Sequence, residues 1–184
     1  MSAAEILGEG LLLAEMDPRY VGEHLPGNTV WSLGRAVQYL SSVERQSYRL
    51  RVENGVVFDA HGRHFDTAGA STLLSGAGRA IFVMGPEGDL YASNYQRQGL
   101  FHHSTFFAGA PIAAAGELVV DNGRIILATD LSRHYAPPPE HLDQCLRVLE
   151  HRGVRVDLVE LRTWPVGSLP TRRPAGSFVA SAAT

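Results

Sequence analysis

Two Asn-Gly dipeptides, each lying between runs of alternating apolar and polar residues, constrain the fold more than any other feature of the chain. Asn54-Gly55 interrupts "YRLRVENGVVFDAHGRHF" and Asn122-Gly123 interrupts "GELVVDNGRIILAT". Both residue types accept a positive φ, so this dipeptide between such runs is the strongest short-range signal for a β-hairpin. A third strand–turn–strand pattern, "AIFVMGPEGDLYAS", turns at 86–88. The middle of the chain is therefore predicted to be a series of antiparallel hairpins.

Helices are predicted on both sides of these hairpins. "PEHLDQCLRVLEHRG" follows three prolines, ends at Gly153, and places apolar residues at helical spacing: Leu142, Cys145 or Leu146, and Leu149. "WSLGRAVQYL" predicts a second helix, and "VRVDLVEL" a further strand. The predicted fold class is α+β, with a twisted antiparallel sheet, open or partly closed, built from hairpins and covered by one or two helices. Residues 1–162 are predicted to form this single domain, and 163–184 a disordered C-terminal tail.

Composition excludes several classes of function. The net charge of −3 gives no electrostatic footprint for nucleic acid or an anionic membrane surface. All 16 basic residues are arginine, which excludes lysine Schiff-base chemistry. The single Cys145 excludes a disulfide within the chain. The longest polar-free run, 106–116, is too short to span a bilayer, and without a signal peptide the expected compartment is the cytoplasm.

Two short motifs carry most of the titratable and hydroxyl groups that could act together. "FHHST" contains His103, Ser104 and Thr105, and "SRHYAP" contains His134 and Tyr135. Histidine titrates near neutrality and acts as an acid or a base, and a nearby hydroxyl orients a substrate or stabilises charge. If "FHHST" is a strand, its two histidines point to opposite faces. Structural roles for the same residues remain an alternative.

A segment of small residues, "AGAPIAAAGE", lies between the two motifs. Small side chains allow another backbone or a ligand to approach closely, and a tightly packed core segment is the alternative. Glu117 ends the segment and is expected at a rim. No metal is expected, because His61 and His64 have no third ligand near them in the sequence.

Five stretches of the chain, in order, resemble the C-terminal region of plant IQ-motif-containing proteins, the IQM group. They are "DPRYVGEHL…W", "YLSSVERQSYRLRVENG", "AIFVMGPEGDLYAS", "FHHSTFFAGAPIAAAGELVVDNG" and "SRHYAPPPEHL", within residues 17–161. The resemblance singles out His103, Ser104, His134 and Tyr135, and it implies that they share one pocket with the small-residue segment as its packed floor. Arg133 stands where the group usually has glycine. The calmodulin-binding IQ helix of the plant proteins is not recognised here, so calmodulin is not expected as a partner.

The first functional hypothesis is a small bacterial enzyme that acts on a small-molecule substrate without a cofactor, its reaction type left open. His103 and His134 form its acid/base pair, assisted by Ser104 and Tyr135. The residues expected to bind the substrate are Arg19, Thr105 and Glu117. The first alternative is an ADP-ribosyltransferase-like toxin domain that consumes NAD. The second alternative is a non-catalytic module that binds a ligand or a partner protein.

Overall fold

A computed structural model describes residues 1–163 and 171–173, which fold around one large β-sheet. Within these residues the strands are Arg49–Glu53 (β1), Val56–Phe58 (β2), Ser71–Thr72 (β3), Gly76–Ala77 (β4), Ala80–Met84 (β5), Leu90–Ser93 (β6), Ala114–Asp121 (β7), Arg124–Thr129 (β8), Glu160–Thr163 (β9) and Thr171–Arg173 (β10). The α-helices are Ala3–Leu7 (α1), His103–Phe107 (α2) and Pro139–His151 (α3). Eight strands form one sheet in the order β10-β9-β8-β7-β5-β6-β1-β2. The predicted α+β class is confirmed.

The predicted hairpins form at both Asn-Gly turns. Asn54 and Gly55 have φ values of 51° and 80°, and Asn122 and Gly123 have 44° and 85°. Both turns therefore have the positive φ values that asparagine and glycine adopt readily. The Gly123 carbonyl also accepts a hydrogen bond from Val57 N–H at 2.8 Å. The sheet thus curls until β2 meets the β7–β8 turn.

One neighbouring pair of strands departs from the expected antiparallel pattern. β9 pairs with β8 in parallel, with Leu127 opposite Glu160 and Thr129 opposite Arg162. Helix α3 lies between these two strands in the sequence and carries the chain back along the sheet. Such a crossover is what parallel neighbours require. The predicted strand in "VRVDLVEL" is shorter than expected, because a 3-10 turn at Val156–Leu158 precedes β9.

Alternate residues of the sheet serve two different layers. Phe82 and Met84 of β5 pack on the side that carries α3, whereas Ile81 and Val83 face the opposite side. Helix α3 forms as its apolar spacing predicts, and its Leu149 is 1% exposed. Helix α1 packs against α3. The opposite layer is built from α2 and from irregular chain that precedes β1.

The predicted helix in "WSLGRAVQYL" is wrong, because this segment is a turn followed by irregular chain. Leu33 and Gly34 have positive φ values of 60° and 66°, which break a helix at its start. Val37 N–H then bonds the Glu23 carbonyl at 3.0 Å, and Leu40 N–H bonds the Thr105 carbonyl. Tertiary hydrogen bonds have thus replaced the local helical ones.

"FHHST" was expected on a strand, and it instead enters helix α2. The Thr105 hydroxyl accepts a hydrogen bond from His102 N–H at 3.0 Å, which caps the first turn. In a helix the two histidines are not forced to opposite faces. This local correction places His102 and His103 beside the same cavity.

Most of the predicted tail, 164–170 and 174–184, lies outside the described residues. The boundary at residue 162 falls inside β9, and Thr171–Arg173 pair with β9 as an antiparallel strand. No described helix is both long enough and apolar enough to cross a bilayer.

Candidate functional site

A buried carboxylate organises the layer opposite α3. Glu23 is fully buried, and four side chains direct a polar group at it. The Ser104 hydroxyl donates to Oε1 at 2.5 Å, and Trp31 Nε1 and His134 Nε2 each lie 3.0 Å from Oε2. The Tyr39 hydroxyl donates to Oε1 at 3.4 Å. Glu23 thereby joins three segments that are far apart in the sequence.

The loop that carries Glu23 is held in place by its own hydrogen bonds. The Asn28 carboxamide donates to the backbone carbonyls of Glu23, Leu25 and Arg35 at 2.8–3.0 Å. Asp17 N–H donates to the His134 carbonyl at 2.7 Å, which fixes the start of the loop against the second histidine motif. The site is therefore built on a preorganised loop as well as on α2.

Four aromatic rings stack above this carboxylate, and we call them the ring cluster: Tyr20, Trp31, His102 and His134. The Tyr20 and His134 centroids are 4.0 Å apart, those of Trp31 and His102 are 4.9 Å apart, and those of His102 and His134 are 4.5 Å apart. Contacts of this kind add to the stabilisation from area burial. Each ring covers part of its neighbours' faces.

Internal hydrogen bonds fix the two histidines of "FHHST". His103 Nε2 donates to the Gly116 carbonyl at 2.8 Å, and His102 Nε2 accepts from Gly99 N–H at 2.8 Å. Burial, with a contribution from the charge of His134, lowers the pKa of His102 to about 3. Burial likewise lowers the pKa of His103 to about 4, although its bond to Gly116 acts in the opposite direction. Both side chains are neutral at pH 7.

Glu23 is ionised despite its burial. Burial alone would raise its pKa, but the hydrogen bond and charge of His134, with the bonds from Ser104 and Trp31, bring the pKa below its usual value. Because a carboxylate only accepts hydrogen bonds, His134 Nε2 carries a proton in this contact. The Glu23 carboxylate is therefore satisfied by hydrogen bonds inside the protein.

The ring cluster forms one wall of a pocket with a volume of about 310 Å³. The opposite wall is the turn between β3 and β4, where Leu73 and Leu74 are 49% and 36% exposed. Leu73 N–H donates to Gln96 Oε1 at 2.9 Å, which fixes this turn. The remaining lining residues are His103, Gln96, Gln98 and Arg133. The pocket is apolar and aromatic inside and polar at its mouth.

Two of the sequence-predicted site residues, His103 and His134, line this pocket. The histidine whose ring lies against His134 is His102, which had not been chosen as its partner. Ser104 is fully buried with its hydroxyl on Glu23, and the Tyr135 hydroxyl donates to the Ala110 carbonyl at 2.8 Å. The Thr105 hydroxyl accepts the hydrogen bond from His102 N–H described above. These hydroxyls are occupied within the protein and do not line the pocket.

The two charged residues expected to bind a substrate lie elsewhere. The Arg19 side chain is 78% exposed and pairs with Asp17 at 2.7 Å. Glu117 was expected at a rim, but it is 1% exposed and pairs with Arg79 at 3.3 Å. Glu117 lies on β7 with its neighbours buried on both sides, so the end of the small-residue segment is inside the sheet.

The sequence analysis did not select Glu23, Trp31, Tyr20 or His102, which hold the site together. No spacing rule links Glu23 to Ser104, 81 residues later. The available signal was the first resembling stretch, "DPRYVGEHL…W", which contains Tyr20, Glu23 and Trp31. In the part of the chain that the structure describes, no three His, Cys, Asp or Glu side chains are grouped to hold a metal ion.

Comparison with known proteins identifies the family. The model of the IQ motif-containing protein middle domain matches residues 44–142, more than half of the chain. The chain belongs to the IQM family. The matched part supplies His102, His103 and His134 to the pocket, whereas Glu23 and Trp31 precede it.

Arabidopsis thaliana has several IQM relatives. The chain is 34% identical to IQ domain-containing protein IQM3 over 69% of its own length and 27% of that protein. It is 33% identical to IQM2 over 69% of its length and 20% of that protein, and 30% identical to IQM1 over 65% and 23%. The chain thus spans about a quarter of these relatives. No solved structure matches it.

The family corrects the functional hypotheses. The expectation of a small bacterial enzyme with a histidine acid/base pair and a small-molecule substrate is wrong, because the match is to plant IQ domain-containing proteins. The ADP-ribosyltransferase alternative gains no support from these relatives. The expectation that calmodulin is not a partner is likewise overturned, because the relatives are named as IQ domain-containing proteins. The non-catalytic alternative agrees with the match.

Proposed function

We propose that this chain is a non-catalytic, partner-binding module of the IQM family, and that its partner docks in the pocket between the ring cluster and the Leu73–Leu74 turn. One observation carries this proposal: the polar groups beneath the pocket bond one another, whereas those at its mouth are exposed. The hydroxyls of Ser104 and Tyr135 both donate to groups inside the protein. The Nε2 atoms of all three histidines are likewise engaged internally.

A general acid or base has to reach the proton that it moves. The Nε2 atoms of the histidines that line this pocket instead bond Gly99, Gly116 and Glu23, which is a structural role. The groups open to solvent are the leucines of the turn, the Gln98 carboxamide and the Arg133 guanidinium. Exposed apolar side chains beside polar donors form a recognition surface.

The test is a phage-displayed library of random linear dodecapeptides selected on immobilised protein. The test variant replaces both leucines of the turn, Leu73→Ser with Leu74→Ser. Leu158→Ser is the matched control, because Leu158 is 61% exposed and does not line the pocket. Equal melting temperatures establish that the variants fold.

We expect peptides enriched on the wild type to bind the control equally and the double variant at least tenfold more weakly. Mass spectrometry should recover each peptide chemically unchanged after incubation. Failure to enrich any peptide, equal binding to the double variant, or a modified peptide would each refute the proposal.

Calmodulin is the first whole protein to titrate, because the relatives are named as IQ domain-containing proteins. Isothermal titration with calcium and with chelator measures its association with this chain. If the double variant Leu73→Ser with Leu74→Ser binds calmodulin more weakly than the wild type, calmodulin docks at the pocket. If the double variant binds it equally well, calmodulin docks elsewhere on the molecule.

A further inference from the structure

We infer that the pocket takes an acidic linear segment of a partner protein, with one apolar side chain in the cavity and a carboxylate at Arg133. This inference rests on the proposed function and adds the chemistry of the partner. Three features of the pocket carry it: its size, the charge at its mouth and the covered faces of its rings.

The size of the cavity matches side chains rather than a folded surface. At about 310 Å³ it lies at the lower end of the range of roughly 300–1,000 Å³ found for ligand pockets. Its apolar contacts come from the ring cluster on one side and from Leu73 and Leu74 on the other. An apolar side chain projecting from an extended segment would bury itself between these walls, as an anchor residue does in other interfaces.

The arginines at the mouth are positively charged, and no carboxylate among the described residues forms an ion pair with them. Six arginines elsewhere in the described residues form ion pairs with carboxylates. Arg133 lines the pocket, and Arg35 and Arg97 lie in the segments that carry Trp31 and Gln98; within the same described residues none of these three is in an ion pair. Arg35 donates only to the neutral Gln98 carbonyl, at 3.3 Å.

The carboxylate beneath the pocket does not offset this charge at the mouth. Glu23 is fully buried, and His134 donates to it from the side of the ring cluster. His102 and His103 are neutral at pH 7 and add no charge of their own. An acidic side chain on the partner can therefore pair with Arg133, because Arg binds a carboxylate with two parallel hydrogen bonds.

The arrangement of the rings favours a peptide over a nucleic acid. Single-stranded nucleic acid binds by stacking bases on free aromatic faces. Here Tyr20 stacks on His134 and Trp31 stacks on His102, so the rings cover one another. The exposed Gln98 carboxamide both donates and accepts, which suits the N–H and C=O groups of an extended backbone.

The test uses three sets of capped synthetic heptapeptides with a fluorescent label. Each has Leu, Met, Phe or Trp at its centre, flanked by Asp and Glu in the acidic set, by Arg in the basic set and by Ser in the neutral set. Fluorescence anisotropy measures binding to the wild type, to Arg133→Glu, to Arg124→Glu and to the double variant Leu73→Ser with Leu74→Ser. Arg124 is the matched control, because it is exposed and does not line the pocket.

We expect the acidic set to bind the wild type and Arg124→Glu at least tenfold more tightly than the other two sets. Arg133→Glu should remove this preference or reverse it in favour of the basic set. Higher ionic strength should weaken acidic binding, because salt screens exposed charges.

Three results would overturn the inference: equal binding of the sets, equal effects of the two arginine substitutions, or tighter binding of a mixed-sequence 12-nucleotide RNA than of the acidic peptides. If basic or neutral peptides bind best and depend on Leu73 and Leu74, the acidic assignment fails and the proposed function stands. If no set depends on these leucines, both fail.

Discussion

The two faces of the sheet are covered in different ways. On one face, α3 supplies a regular apolar surface, and side chains such as Phe82, Leu146 and Leu149 fill the interface. On the other face, irregular chain before β1 packs with α2, and a buried Glu23 is needed to hold it. A regular helix buries its backbone polar groups by itself, whereas irregular chain has to find partners among side chains.

This difference shows how an open pocket is kept in shape without regular structure. The Asn28 carboxamide and Glu23 together satisfy the loop and fix Trp31 against the histidines. The α3 face contributes stability in proportion to its buried apolar area, because the hydrophobic effect does not depend on the orientation of the contacts. The pocket face depends on a few directed polar contacts, and losing one of them leaves buried groups unpaired.

Acidification should give the largest difference between the faces. The pKa values of His102 and His103 are lowered to about 3 and about 4, so the folded protein stays neutral at these sites while the unfolded chain takes up protons below about 6.5. The free energy of unfolding should therefore fall from pH 6.5 toward pH 4, by about 1.4 kcal/mol per pH unit for each histidine. Glu23, whose pKa is below its usual value, adds to the loss below about pH 4.5.

Urea denaturation between pH 7 and pH 4 measures this slope. His103→Asn should reduce the slope, while Leu149→Ala on the α3 face should leave it unchanged. A pH-independent free energy of unfolding in the wild type would contradict the account of the buried histidines.

Removal of the buried carboxylate should give the next largest effect. Glu23→Ala leaves Ser104, Trp31 and His134 without their acceptor and is expected to cost about 3–5 kcal/mol of unfolding free energy. Leu149→Ala on the other face should cost about 2–5 kcal/mol through lost burial and a cavity. Urea denaturation compares the two.

Peptide binding then separates these variants. Under conditions where both variants remain folded, Leu149→Ala should bind the peptides with the affinity of the wild type. Glu23→Ala should lose this affinity, because Glu23, unlike Leu149, holds the ring cluster in place. Equal loss of binding in the two variants would show that the faces are not independent.

Overpacking the small-residue segment should give the smallest change in stability. Two neighbouring residues of this segment face opposite sides of the sheet, so substituting each in turn tests the two faces separately. Ala114 packs with the α3 side, and Ala115 with the pocket side. Replacing either with leucine should cost about 1–3 kcal/mol by thermal or urea melting. Only Ala115→Leu should also weaken peptide binding. If both variants bind like the wild type, the segment is not the floor of the pocket.

Prediction from the sequence succeeded where the signal was local. The Asn-Gly turns and the spacing of α3 identify hairpins and a helix without reference to the rest of the chain, and all three were found. It failed at "WSLGRAVQYL" and "FHHST", where the backbone follows distant partners. Val37 bonds to Glu23 and Leu40 to Thr105, and neither contact has a sequence pattern.

The sequence by itself determined the hairpins, the principal helix, the α+β class and the IQM resemblance, because each depends on residues close together in the chain. The tertiary structure alone decided the pocket. Glu23 meets Ser104 and His134 across separations of 81 and 111 residues. Electrostatic pairing and ring stacking act over a few ångströms in space. Which histidines and carboxylates come close enough to interact in these ways is therefore decided only when the chain folds.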